Sequence, residues 1–366
     1  MRILMLNYEF PPLGGGASPV SFEIAKGYAN LGHKVDVVTM RYKNLPPFEH
    51  KEGINIYRVK CWRRKKEICH PWEQLTYVIS ARSFLKKYLK GNFYDICHCH
   101  FIIPTGIVAL WLKKKFNTSY IITAHGSDVP GHNPDRFRFL HKFTKPILKK
   151  ICRSAKLITL PSEYLKDLVK KEIGNYEIRV VLNGSRDFYQ NGIEKENIII
   201  SAGRLLEGKG FQFLIKAFNE LNKNNWKLYV IGDGPYKSKL IELAQGNANT
   251  VFTGWLDNTG DEYRLLLNKA KIFSLLSSRE SQGVVFLEAM SAKCAILSSN
   301  ITACRETVTE DIGFLVNGKN IEEIKEKLNE MMMGEDRLKE FMNNARKRYE
   351  EKYTYPEIVS QYINLL

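Results

Sequence analysis

Short apolar runs alternate with helix-periodic stretches along this chain, and the whole alternation is made twice. In the first half the apolar runs are ILMLNY (3–8), VDVVTM (35–40), INIYRV (54–59), ICHCHF (96–101), SYIITAH (119–125), KLITLP (156–161) and RVVLNG (179–184). They have strand length and are apolar at successive positions, as strands buried on both faces are. Between the first two, SPVSFEIAKGYANLG offers Ser18 as a helix cap, Pro19 for the first turn and Gly32 past the end. A polar, turn-rich stretch at about 184–196, NGSRDFYQNGIEK, interrupts the pattern. It then restarts with NIIISAG (197–203), WKLYVIG (226–232), TVFTGW (250–255), KIFSLLS (271–277) and AILSS (295–299). Strand–helix alternation selects an α/β architecture around parallel sheets. The two series predict two doubly wound domains, residues 1–183 and 197–350, joined by a linker at 184–196. No fixed short period recurs, which excludes a solenoid. A chain of 366 residues is long enough for two such cores. The last residues, YTYPEIVSQYINLL, predict an amphipathic helix at about 353–366 whose apolar stripe needs a partner.

No run of 18 or more apolar residues occurs, so no membrane-spanning helix is expected. MRILMLNYEF reads as a buried strand rather than a secretory signal, because turn residues follow it at once. Seven cysteines with no C-x-x-C pair fit a reduced, cytoplasmic chain. The net charge of +16 is unevenly placed: residues 1–183 hold 31 Lys and Arg against 14 Asp and Glu, whereas residues 184–366 hold 24 against 25. Such a lopsided field predicts that the first half meets something anionic. The segments WRRKK (62–66), FLKKYLK (84–90), LKKK (112–115) and RFRFLHKFTKPILKKICRSAK (136–156) carry most of the surplus, and several interleave aromatics with Lys and Arg.

Open α/β sheets bind ligands beyond the carboxyl ends of their strands, so the loops there are where chemistry is expected. The first strand runs into PPLGGGASP (11–19), where Gly15 and Gly16 would let the backbone approach a phosphate at a helix N-terminus. The spacing is not G-x-G-x-x-G, and Met40 and Arg41, not an acid, close the second strand, which argues against a nicotinamide site. In AGRLLEGKG (202–210), Arg204 can fork onto phosphate oxygens and Lys209 adds a mobile point charge. In RESQGVVFLEAM (279–290), Glu280 precedes a helix and Glu288 lies on its second turn. Gly283 would let the amides of Gly283, Val284 and Val285 face an anion, and the two carboxylates can accept hydroxyl hydrogen bonds. Together with the Arg/Lys loop they suit a nucleotide sugar. His125, ending a strand in TAHGSD, is either a structural hydrogen bonder or a site residue. In CHCH (97–100), strand alternation puts the cysteines on one face and the histidines on the other, and two ligands per face do not close a zinc site. No D-x-D pair is present to carry a metal–diphosphate, so no metal is expected.

Taken together these segments resemble the retaining glycosyltransferases of the GT-B fold, family 4 type. The resemblance runs in order through PPLGGGASPVSFEIAKGYANLGHKVDVVT, TAHGSD, PSEYL, VVLNGSRDFY, AGRLLEGKGFQFLIKAF, VIGDGPYKSKL, VFTGWL, SLLSSRESQGVVFLEAM and GFLV, and so covers nearly the whole chain. It implies two Rossmann-like domains facing a central cleft, the first for an acceptor and the second for the donor. It also implies that the terminal helix crosses back to the first domain. By that likeness Arg204 and Lys209 hold the donor diphosphate, Glu280 the transferred sugar and Glu288 the ribose. Gly15 and Gly16 line the phosphates, His125 sits beside the sugar, and the loops near Gly232 and Gly254 border the base. The implied co-substrate is a UDP- or GDP-linked sugar, and the implied acceptor a glycan or lipid-linked molecule at a membrane surface. The charge adds an anionic membrane as a partner and peripheral attachment as the location; no recognised nucleic-acid module occurs. Three departures bear on the sugar: Gln282 stands where an apolar residue is common, Lys293 where glycine is, and ITACRET (301–307) lacks the usual glycines. The alternative readings are a sugar-nucleotide epimerase of the same fold and a basic nucleic-acid-binding protein.

Overall fold

The computed structural model describes residues 1–66 and 68–366, with backbone only for 134–142. The chain forms two compact units, Met1–Asn183 with Tyr355–Leu366, and Gly184–Thr354.

The first unit is built on an eight-stranded sheet. Its strands are β1 (Arg2–Leu6), β2 (Lys34–Met40), β3 (Phe48–Lys51), β4 (Ile54–Val59), β5 (Ile96–His100), β6 (Tyr120–Thr123), β7 (Leu157–Leu160) and β8 (Ile178–Val180), in the order β3-β4-β2-β1-β5-β6-β7-β8. Every pairing is parallel except β3 with β4. Strand β3, FEHK, is polar and mostly exposed, as an edge strand can be, and the apolar pattern does not show it. Helices α1 (Ala17–Asn30), α2 (Pro71–Tyr88), α3 (Thr105–Phe116), α4 (Pro134–Ser154) and α5 (Glu163–Glu172) connect the strands.

Helix α1 starts one residue before the expected cap. Gly16 takes the capping position with no side-chain bond, and Ser18 is buried inside the first turn. There the Ser18 carbonyl accepts the Ser21 hydroxyl at 2.8 Å.

The second unit carries a six-stranded parallel sheet. Its strands are β9 (Glu196–Ala202), β10 (Lys227–Ile231), β11 (Thr250–Gly254), β12 (Ala270–Leu275), β13 (Ala295–Ser299) and β14 (Gly313–Val316), in the order β11-β10-β9-β12-β13-β14. Its helices are α6 (Phe211–Leu221), α7 (Lys237–Leu243), α8 (Asp261–Lys269), α9 (Val284–Ser291), α10 (Cys304–Thr307), α11 (Ile321–Met333) and α12 (Glu335–Lys352). Residues 184–196 belong with this unit.

A final helix, α13 (Tyr355–Ile363), belongs to the first unit. Its apolar residues Ile358, Val359 and Tyr362 are buried. Gly27 of α1 makes room for it: a Cβ there would lie 2.3 Å from Val359 Cγ2. The Tyr362 hydroxyl reaches into a buried polar chain. It lies 3.1 Å from Thr123 Oγ1, which in turn lies 2.7 Å from both His98 Nε2 and Thr159 Oγ1.

Strand order locates the crevices. In each sheet the chain winds outward on one side, then returns to the other side of its first strand. The reversal falls between β1 and β5 in the first unit and between β9 and β12 in the second. Ligands of open α/β sheets sit outside the carboxyl ends of the strands at such a switch point.

Candidate functional site

The loops leaving β9 and β12 flank the switch point of the second unit, and they carry the residues singled out for the diphosphate and the sugar. The β9 loop passes through a single turn of 3₁₀ helix, Glu207–Lys209, into Gly210 at φ 75°. A Cβ at Gly210 would lie 2.0 Å from the Leu276 carbonyl oxygen, so only glycine allows this loop to press against the end of β12. The Gly208 carbonyl accepts the Ser278 amide at 2.8 Å and the Ser278 hydroxyl at 3.0 Å. On its other side, the Leu205 amide donates to the Asp233 carbonyl at 2.9 Å, and the Gly232 amide to that of Gly254 at 2.8 Å. The three loops after β9, β10 and β11 are thereby stitched together.

On this frame Lys209 Nζ donates to Glu280 Oε1 at 2.5 Å, across 71 residues of sequence. Glu280 is nearly buried and Lys209 partly so. The Glu280 backbone is held in turn by Thr302, whose hydroxyl is 3.4 Å from the Glu280 carbonyl. Arg204 is half-buried, and among the described residues its guanidinium makes no ion pair or hydrogen bond. One cation is therefore engaged with the carboxylate and a second is available to an anion.

Helix α9 begins at Val284 after Gly283 in the left-handed region, φ 81°. The first-turn amides of Val284 and Val285 have no acceptor within the helix. Glu288, one turn on, is buried: Oε2 accepts the Tyr263 hydroxyl at 2.6 Å and Oε1 faces Asn258 Nδ2 at 3.5 Å. Burial raises the Glu288 carboxyl above its usual range, opposed by the hydrogen bonds from Tyr263 and Asn258. Of the departures, Gln282 is buried and its carbonyl accepts the Thr307 hydroxyl at 2.9 Å. Lys293 has φ 62°, the conformation that glycine adopts most easily, which explains why glycine suits this position.

In the first unit, Gly15 and Gly16 are exposed at the switch point, and a Cβ on either would meet nothing within 4 Å. Folding does not require glycine at these two positions. Gly14 differs, with φ +93° and a Cβ position 2.7 Å from Glu9 Cβ. His125, at the carboxyl end of β6, places Nε2 3.0 Å from His100 Nδ1. Its loop is tied by Asp128, which accepts the amides of His125 at 3.0 Å, Gly126 at 3.1 Å and Ile102 at 2.7 Å. Burial lowers His125 to about 3, so the ring is neutral. His98 and His100 share one face of β5, ring centroids 4.5 Å apart, while Cys97 and Cys99 sit on the other with sulfurs 3.7 Å apart. Among the described residues no group of three or more His, Cys, Asp or Glu is placed to hold a metal.

The site residues not foreseen are His100, Thr302, Asn258 and Tyr263. His100 was visible in the CHCH run as a residue facing with His98. The others come from separate elements and left no local signal.

Two α/β units, each with a switch point in a largely parallel sheet and one with a cation–carboxylate pair there, have the architecture of the GT-B class. The chain belongs to the glycosyltransferases: residues 14–185 match the family described as Glycosyltransferase Family 4, and residues 185–348 match Glycosyl transferases group 1. An uncharacterised glycosyltransferase of Methanocaldococcus jannaschii is 26% identical, over 100% of this chain and 97% of its own. Among solved structures, sucrose-phosphate synthase from Thermosynechococcus elongatus superposes with a TM-score of 0.84 at 18% identity, covering 100% of this chain and 98% of that one. Anabaena HepE, solved in complex with UDP-glucose, gives 0.77 at 17% identity, covering 100% of each chain.

Proposed function

We propose that this protein moves a hexose-type sugar from a nucleoside-diphosphate sugar, UDP- or GDP-linked, to a glycan or lipid-linked acceptor, with retention of the anomeric configuration. The observation that carries this reading is the Lys209–Glu280 pair at 2.5 Å together with the unengaged Arg204, all on loops leaving the strands at the switch point of the second sheet. As the glycosidic bond breaks, negative charge develops on the β-phosphate. Arg204 and Lys209 stabilise it, the work a carboxylate-bound metal does in other transferases. Glu280 accepts hydroxyls of the transferred sugar. The ribose takes up the remaining lone pairs of Glu288, whose orientation Tyr263 sets. No side chain is offered as a covalent nucleophile; the leaving phosphate takes the acceptor proton on the same face. His125, a neutral ring steadied by His100, is available to a ligand hydroxyl at the first unit's own switch point. The UDP-glucose complex of HepE supports a nucleotide sugar as donor.

On this reading the acceptor lies at an anionic membrane surface, and the charge of the first unit supports it. The first unit holds 31 Lys and Arg against 15 Asp and Glu. Lys114 of α3 and Lys150 of α4 crowd each other, which lowers the Lys114 ammonium below its usual range. Not every basic residue contributes: Arg63, inside the 62–66 segment, is buried and donates to the carbonyls of Tyr8, Lys65 and Lys66. Of the 136–156 segment, the side chains of residues 136–142 lie outside the described ones. No described helix is long and apolar enough to cross a membrane.

A thermal-shift screen of UDP-, GDP- and ADP-sugars, followed by mass spectrometry of products, tests the reaction. One nucleotide class should raise the melting temperature and yield a glycosylated acceptor. Binding by none of them, or turnover of the nucleotide sugar with no acceptor product, overturns the reading.

A further inference from the structure

Four large apolar side chains of the first unit stand exposed on and next to helix α2. Trp62 is 63% exposed, Trp72 42%, Leu75 59% and Ile79 63%. Trp72, Leu75 and Ile79 stand at i, i+3 and i+7 of α2, on one face of the helix. The opposite face of α2, with Tyr77, Val78, Ala81 and Leu85, is already buried in the core. Trp62, from the loop before α2, meets Trp72 edge-on with ring centroids 5.5 Å apart and an interplanar angle of 85°. The four side chains therefore make one apolar patch from two elements.

The patch is braced, not loose. The Trp62 amide donates to Thr76 Oγ1 at 3.0 Å. Glu73, fully buried, accepts the amides of Arg64 at 2.8 Å and His70 at 2.7 Å. Basic residues lie near it in the chain. Arg64 lies over the Trp72 ring at 5.2 Å, Lys65 and Lys66 follow it and are exposed, and α2 carries exposed Arg82 and Lys86.

We propose that Trp62, Trp72, Leu75 and Ile79 insert into the interface of an anionic bilayer, with Arg64, Lys65, Lys66, Arg82 and Lys86 at headgroup level. The proposal rests on the membrane reading above and adds to it the residues that enter the lipid. Indole rings with one wet edge favour the headgroup boundary. An amphipathic helix with aromatics on one side and basic residues alongside lies in the interface plane. A bilayer of anionic lipid complements the unit's surplus of basic residues, an attraction that fades within about 8 Å at physiological salt. The apolar face supplies what charge alone lacks, attachment that survives salt.

The full chain is mixed with vesicles of phosphatidylcholine alone or with phosphatidylglycerol, and partition is read by co-sedimentation. Wild type should bind the anionic vesicles, and brominated lipid should quench its tryptophan emission. Trp62→Ser/Trp72→Ser should lower partition by about tenfold or more and remove most of that quenching, with unchanged thermal unfolding. Leu75→Ser/Ile79→Ser, which leaves the indoles in place, should lower partition in the same direction. If both double variants bind like wild type and bromolipid quenches nothing, the insertion proposal is wrong and the membrane reading stands. If wild type stays in the supernatant with strongly anionic vesicles at low salt, both fail. A wild-type dimer in solution that these variants convert to monomer, without lipid binding, assigns the patch to a second copy and overturns the proposal.

Discussion

The two units share a topology and differ in how they use charge. In the second unit 24 Lys and Arg stand against 24 Asp and Glu, and no histidine occurs. Its notable ion pair, Lys209–Glu280, is at the switch point, held by loops bonded backbone to backbone. The first unit carries the whole net charge of +16 and all eight histidines. Its switch point has exposed glycines and a neutral histidine, while many of its cations are exposed on helices and loops elsewhere. The second unit balances its charges and keeps one ion pair at its switch point, whereas the first carries an unbalanced positive excess. A fixed leaving group calls for the first arrangement and an extended anionic partner for the second.

The contrast can be broken most directly at the ion pair. Arg204→Ala or Lys209→Ala should slow transfer roughly a hundredfold or more, about 3 kcal/mol of transition-state stabilisation. Melting of the first unit should not change. Turnover near wild type in both variants removes the clamp from the second unit. Glu280→Gln should weaken transfer more than it weakens binding of the free nucleoside diphosphate, which lacks the sugar. Equal losses in the two assays would reassign the carboxylate.

Next in size is the loop that carries the clamp. Gly210→Ala forces a Cβ to 2.0 Å from the Leu276 oxygen at φ 75°. A cost of about 2–3 kcal/mol is expected, felt in the second unit, and a calorimetric scan in which that unit melts unchanged contradicts it.

Mild acid should weaken the first unit before the second, with the buried Asp128 carboxyl, raised to about 6, partly offsetting the histidines. His98 is buried between the Tyr28 hydroxyl and Thr123, and burial lowers it to about 3; His100 beside it is lowered too. A depressed histidine binds its proton in the unfolded chain before it does in the folded one. Stability present above about pH 6.5 is therefore lost as pH falls toward 3, at up to about 1.4 kcal/mol per pH unit for each ring. Unfolding measured from pH 7.5 to 5 should show the first unit weakening, and His98→Gln should flatten that slope. A slope carried by the histidine-free unit would contradict the comparison.

A smaller effect is expected at Tyr263. Removing its hydroxyl in Tyr263→Phe takes one donor from Glu288, a loss of about 1 kcal/mol, read as several-fold weaker nucleotide binding. The smallest expected effect is none: transfer should persist in excess EDTA, because Arg204 and Lys209 supply the positive charge. Activity lost on chelation and restored by Mg²⁺ would put a metal in the second unit's site.

The α/β class, the doubled series of strands and most of the strand positions follow from the chain alone, because apolar periodicity is a local property that survives whatever the fold does with it. So do the loops that matter: a strand that ends in AGR or TAH places those residues at a carboxyl edge once the sheet is parallel. Strand β3 escaped because an exposed edge strand has no apolar pattern to read, and Ser18 lost its capping role because Gly16 had already started the helix. What the tertiary structure alone decided is which distant groups meet. Lys209 finds Glu280 because β9 and β12 become neighbours, and Tyr263 reaches Glu288 from α8. Arg63 leaves the basic surface for the carbonyl of Tyr8, 55 residues earlier. Trp72, Leu75 and Ile79 stay outside because the other face of α2 claims the core. Sheet order and the choice of buried face depend on the energy of the whole assembly, and no short window of sequence contains it.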